Sequence, residues 1–176
     1  MKKGATISEC GIFRYSLWRL WDEKPIVLFI MLNPSTADGD FDDPTIRRLI
    51  GFCQRWGTGG FYVGNLYPYR TSSPAILNEW WGSFDNWHEM IDANKENQCL
   101  VKEMAIKASY CVIAWGANGM SKGLRTSEEY RYVTGELQLF CLGVTKAGFP
   151  RHPLYVPYDS PLITWPECEK TENPLA

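Results

Sequence analysis

Asn33 and Asp38 stand five positions apart in the stretch LNPSTAD, and His152 lies between Pro150 and Pro153 near the other end of the chain. These side chains suit the handling of water and protons. An amide can orient a water molecule, a carboxylate can take a proton from it, and an imidazole can donate to an oxygen as that oxygen gains charge. The flanking prolines fix His152 at little entropic cost, whereas His88 falls on the polar face of a helical pattern. Arg47, Arg70, Lys146 and Arg151 could pair with phosphate oxygens, and a helix opening at Pro44 would add backbone N–H groups. Tyr67 and Trp115 fall at strand ends, where a ring could stack on a nucleobase; core packing is the alternative for Trp115.

Bland roles compete for several of these residues. Asn33 precedes Pro34 and could close an Asx turn. Asp38, Asp40, Asp42 and Asp43 could form a solvated loop, with Asp43 as the N-cap before Pro44. The same carboxylates could hold a hard cation such as Mg²⁺, but D-x-D-x-D-D lacks the glycine and terminal Glu of a calcium loop. No metal ligand and no cofactor is assigned.

The elements that must position these residues alternate along the chain. Residues 11–21 and the apolar run 26–32 read as two strands of a hairpin across the charged turn DEKP. Ile46, Leu49, Ile50 and Cys53 recur at helical spacing from 44 to 56, and the helix stops at GTGG. Residues 61–68 are β-rich, 71–86 carry turn signals around Trp80 and Trp81, and 88–108 fit a long helix. Residues 109–116 and 137–144 are two further buried strands. Strand and helix in alternation predict a parallel sheet with helices on both faces, and such sheets bind ligands outside the carboxyl ends of their strands. Each buried strand delivers polar residues there: NPSTAD, NLYPYR, WGANG and TKAGFPRHP.

With 176 residues, 45% of them hydrophobic, one compact domain is expected, spanning 1–162, followed by a loosely ordered tail at 163–176. A net charge of −2 gives no global reason to grip a nucleic-acid backbone. No apolar run approaches the roughly 20 residues that span a bilayer, and the start has no signal-like apolar segment, so no membrane partner and a cytoplasmic location are expected. The six cysteines form no C-x-x-C pair. Cys111 and Cys141, inside apolar runs, read as core fillers.

The motifs NPSTAD, DDPTIRR, NLYPYR, AWG and PRHPLYV, in this order, resemble the bacterial and phage family DUF1643 over roughly residues 10–160. The chain more distantly resembles the uracil-DNA glycosylase superfamily. That resemblance implies a three-layer αβα fold around a mostly parallel four-stranded sheet, here with an N-terminal β-hairpin. LNP resembles the INP of the mismatch-specific branch, which would make Asn33 the residue that positions the attacking water. Asn65 matches the asparagine that binds the base, and His152 and Pro153 match the late motif that stabilises the departing base. Ser35 and Leu154 stand where the superfamily has glycine and serine.

The expected function is therefore recognition of a nucleotide or nucleobase, with hydrolysis of an N-glycosidic bond in a small nucleotide or in single-stranded or modified nucleic acid. The alternatives are a non-catalytic nucleotide-binding protein and an accessory factor in DNA modification or repair. Catalytic roles fall to Asn33, Asp38 and His152. Substrate contacts fall to Pro34, Ser35, Thr36, Arg47, Asn65, Tyr67, Arg70, Trp115, Gly116, Lys146 and Arg151.

Overall fold

The computed structural model describes residues 1–83, 87–117 and 134–165. The run IVLFIM forms strand β3 (Ile26–Met31), apolar on every position because both of its faces are covered. Val27, Phe29 and Met31 pack against Ile46, Leu49 and Phe52 of helix α1 (Pro44–Arg55) on one side of the sheet. On the other side, Leu28 and Ile30 pack against Leu77 of helix α2 (Pro74–Trp81) and against Val101 and Met104 of helix α3 (Trp87–Lys107).

The sheet is mixed and has seven strands. Besides β3 it holds β1 (Lys2–Ile7), β2 (Arg14–Leu20), β4 (Gly60–Asn65), β5 (Tyr110–Ile113), β6 (Leu139–Cys141) and β7 (Ile163–Thr164), in the spatial order β1-β2-β4-β3-β5-β6-β7. Parallel pairings join β4 to β3, β3 to β5, and β5 to β6, while β1, β2 and β7 attach antiparallel at the two margins. The carboxyl ends of β3, β4, β5 and β6 therefore share one edge. Cys111 and Cys141 are buried free thiols in this core, and burial pushes both thiols up from their ordinary range.

Three expectations need correction. The strand at 11–21 does not form a hairpin with 26–32: β4 lies between them, and the N-terminal hairpin is β1 with β2. The double glycine Gly59–Gly60 at the start of β4, beyond the Trp56 C-cap of α1, lets these chains converge. A Cβ on Gly59 would lie 2.4 Å from the carbonyl oxygen of Asp22, and one on Gly60, at φ +148°, would lie 2.4 Å from that of Arg19. Residues 74–81, within the stretch expected to turn, are helical. Ser73 caps α2 by accepting from the Ile76 N–H, and Pro74 takes the first helical position, so SSP is a helix start. The stretch beginning at 163 enters the sheet as β7 beside β6. Its continuation from 166, and Asn118 and Gly119 of WGANG, lie outside the described residues.

Candidate functional site

A pocket of about 780 Å³ opens at the edge where the parallel strands end. Asn33, Ser35 and Thr36 line it after β3, Asn65 at the end of β4, Trp115 and Gly116 after β5, and Lys146, Arg151 and His152 after β6. These nine expected substrate or catalytic residues thus meet around one cavity, whose volume falls within the range of small-molecule sites.

Asn65 is only 2% exposed, and neither its Nδ2 nor its Oδ1 has a hydrogen-bond partner among the described residues. Its backbone is held from below: Asn97, also buried, donates from Nδ2 to the Asn65 carbonyl oxygen at 2.9 Å. Asn33 is anchored differently. Its Nδ2 donates to the carbonyl oxygens of Thr71 at 2.7 Å, Pro34 at 3.0 Å and Tyr69 at 3.3 Å. That amide therefore ties the β3 loop to the β4 loop. Its Oδ1 accepts no hydrogen bond from the described residues, so the acceptor end is the part of Asn33 available to a ligand or water.

His152 begins the short 3-10 helix Pro153–Tyr155 and accepts the Leu154 N–H on Nδ1 at 3.2 Å. An accepting Nδ1 leaves the proton of the neutral ring on Nε2, as a donor. Burial pulls the imidazole down from its ordinary range, with the charge of Asp43 acting in the opposite direction, so the ring is neutral near pH 7. Gly116, at φ +78°, lies against it, and a Cβ there would sit 3.1 Å from the His152 Cβ. Arg48 of α1 secures the loop beyond. Its guanidinium donates to the carbonyl oxygens of Pro153 and Val156 and lies 3.7 Å over the Tyr158 ring.

Residues not foreseen complete the wall. Arg14 on β2 is 3% exposed and donates from Nη1 to the Ala37 carbonyl oxygen at 2.7 Å. Burial pushes its guanidinium down to about 10, which still leaves it charged at neutral pH. Asp43 is buried at the start of α1, and its Oδ1 accepts the Ile46 N–H at 2.8 Å, so the expected N-cap is also a pocket residue. Thr45, Thr71, Ser72 and Tyr155 join them. Arg14 carried one signal, a charge inside the otherwise strand-like run IFRYSLW. Asn97 carried another, an amide at an apolar position of the α3 pattern.

Five expected residues lie elsewhere. Asp38 accepts the Asp40 and Phe41 N–H groups on Oδ1 at 2.8 and 2.7 Å, and these bonds hold its carboxyl below the usual range while it closes its own turn. Arg47 is exposed, and its guanidinium donates to the Asp42 carbonyl oxygen. Arg70 donates to the Gly11 carbonyl oxygen at 3.0 Å, bracing the turn between β1 and β2. Tyr67 is buried with its ring edge-on to Trp81 at 4.4 Å, and Pro34 is buried behind the loop, where its carbonyl oxygen takes the Thr71 N–H. The acidic loop is likewise dispersed, and no group of three or more His, Cys, Asp or Glu side chains among the described residues could hold a metal ion. Nor is any helix among them long and apolar enough to cross a membrane.

Fold and site together define an α/β protein with a ligand-sized, cation-bearing pocket at the carboxyl edge of its parallel strands. Residues 14–154 match the family described as protein of unknown function (DUF1643), and the chain belongs to that family. No curated protein and no solved structure matches it.

Proposed function

We propose that the chain recognises a nucleobase through Asn65 and hydrolyses the N-glycosidic bond joining that base to its sugar. The observation that carries this reading is the Asn65 amide, buried in the pocket with donor and acceptor both unpaired. Each unmet group costs about 1–3 kcal/mol, and a ligand offering an acceptor beside a donor would recover that cost. The edge of a nucleobase offers such a pair on neighbouring atoms. The Trp115 ring in the same wall gives a flat partner for a planar ligand.

In the hydrolysis, a water oxygen bonds to the anomeric carbon as the carbon–nitrogen bond breaks. The bonding pair leaves with the base, and a proton from the water ends on it. Asn33 supports the first part, since an amide oxygen without a protein donor can orient the water. His152 supports the second, since a neutral ring with Nδ1 occupied donates from Nε2 to the base oxygen as charge develops there. One observation favours a second reading, in which the pocket binds without turnover. Asn33 spends its N–H groups on three carbonyl oxygens as a loop tie, and an amide is a poor base.

The test incubates the full chain with nucleosides, nucleotides and uracil- or mismatch-containing oligonucleotides and looks for free base by mass spectrometry. Release of a base that Asn65→Leu abolishes supports the hydrolase. A ligand that raises Tm without base release supports the binder, and neither effect from any member of the panel refutes both.

A further inference from the structure

Arg14 is a buried cation with an unused edge. Nη1 is taken by Ala37, but Nε is buried without a partner, and Nη2 makes no hydrogen bond among the described residues. Nor does any carboxylate among them form an ion pair with it. The nearby Asp43 attracts it, yet that carboxylate is committed through Oδ1 to the start of α1. Arg19, five residues further along the same strand, makes the contrast. Fully buried, it pairs with Asp42 at 2.6 Å and donates to the carbonyl oxygens of Trp18 and Asp38 at 2.8 Å each. The fold satisfies the Arg19 guanidinium completely and leaves that of Arg14, a residue of the pocket wall, with Nε buried and unpaired among the described residues.

Nε and Nη2 form the edge that meets two oxygens of one anion side by side. Ser35, Thr45 and Ser72 line the same pocket and add hydroxyl donors, more than the two oxygens of a carboxylate would engage once paired with the guanidinium. We infer that Arg14 binds a terminal phosphate of the ligand, so that the substrate is a nucleoside phosphate rather than a free base, a nucleoside or an internal position of a long strand. A phosphate reaching so buried a fork must present two free oxygens end-on, which a diester flanked by sugars on both sides does poorly. The nucleoside half of this inference rests on the base-recognition reading of Asn65; the anion half stands on Arg14 alone.

The test uses the full chain and titrates inorganic phosphate, the common nucleosides and their 5′-monophosphates, read by calorimetry and by Tm. The wild type is expected to bind one monophosphate at least tenfold more tightly than its nucleoside and to be stabilised by inorganic phosphate. Arg14→Met removes a buried guanidinium that has no ion-pair partner among the described residues together with its hydrogen bond to the Ala37 carbonyl oxygen, and these opposed effects should leave the ligand-free Tm close to that of the wild type. It should weaken the monophosphate by about 100-fold, the equivalent of two charge-assisted hydrogen bonds, and leave the nucleoside within about threefold. Arg14→Lys, which keeps the charge without the fork, should weaken it by about tenfold. Equal binding of nucleoside and monophosphate, or phosphate stabilisation that survives in Arg14→Met, overturns the inference. Phosphate binding lost in Arg14→Met without any nucleoside binding supports the anion site while refuting the base reading. Nucleoside binding abolished by Asn65→Leu but indifferent to phosphate refutes the anion site alone.

Discussion

The side-chain amide of Asn97 donates a 2.9 Å hydrogen bond to the backbone carbonyl oxygen of Asn65, so α3 grips from beneath the strand end that presents the pocket's unpaired amide. Both residues are almost fully buried. A backbone oxygen at the last residue of a parallel strand has run out of sheet partners, and Asn97 supplies the missing donor. The side chain of Asn65 is thereby aimed without being consumed.

Replacing Asn97 by Ala should therefore act twice. It removes a buried hydrogen bond and leaves the Asn65 carbonyl unpaired, costing about 2 kcal/mol in urea unfolding. It should also weaken any ligand that Asn65 recognises. Asn65→Leu should behave in the opposite way: with two unpaired polar atoms replaced by apolar volume, the ligand-free protein should unfold at the same or higher denaturant, while ligand-dependent stabilisation disappears. A loss of ligand-free stability in Asn65→Leu as large as that in Asn97→Ala would mean that the amide serves the fold rather than a ligand.

Gly116 is required by conformation and by space together. Ala at φ +78° is strained, and its Cβ would press on that of His152. Gly116→Ala is expected to cost about 1–3 kcal/mol and to shift the His152 ring resonances in NMR, whereas Gly148→Ala, also at positive φ but with open space around its Cβ, should pay only the conformational part and leave those resonances in place.

The pattern of what could be read in advance follows from how local each signal is. IVLFIM announced a strand covered on both faces because its composition alone demands it, and NPSTAD, Asn65 and PRHP were legible as edge loops because parallel strands share an orientation. The partner of β2 was not legible, since that pairing is decided 40 or more residues away by glycines that permit close approach. Arg14 and Asp43 were missed as pocket residues because a strand arginine and a helix cap look structural until the fold brings them together. Arg47 and Asp38 read as site residues for the converse reason: backbone within five positions of each already claims their polar groups, while Arg70 is drawn away from the pocket by the Gly11 carbonyl oxygen, a contact between distant parts of the chain.

Arg48 holds the His152 loop to α1, and its geometry cannot be matched by another cation. Arg48→Lys keeps the charge but loses both the fork to Pro153 and Val156 and the stacking on Tyr158. The expected cost is about 2 kcal/mol for Lys and somewhat more for Ala, with raised hydrogen exchange confined to residues 152–158. Full stability in the Lys variant would show that charge alone suffices.

The pH dependence has a definite sign at His152. Burial depresses its proton affinity in the folded state below the ordinary value near 6.5, so the unfolded chain binds more protons through that window. Stability therefore rises with pH up to the unfolded value and falls as the solution is acidified below it. His152→Asn retains an acceptor for the Leu154 N–H but cannot titrate. It should flatten the change in unfolding free energy between pH 7.5 and 5, and an unaltered slope would assign that dependence to other groups.

The acidic loop offers a comparison between two aspartates two residues apart. Asp42 neutralises Arg19, whose side chain has no exposure, while Asp40 is fully exposed and meets Lys3 at 3.7 Å. Asp42→Ala strands a buried guanidinium and should cost about 3 kcal/mol, since breaking a buried pair is far worse than never having built it. Asp40→Ala should produce no measurable change, because exposed pairs are screened and entropically loose. Asp42→Ala combined with Arg19→Met removes both charges and should regain part of the loss. Urea titration of the three variants tests the point: equal effects at Asp40 and Asp42 would mean that the loop is an undifferentiated solvated surface, whereas a large gap closed by the double variant identifies the Arg19–Asp42 pair as what shapes the chain leading into Asp43 and the pocket.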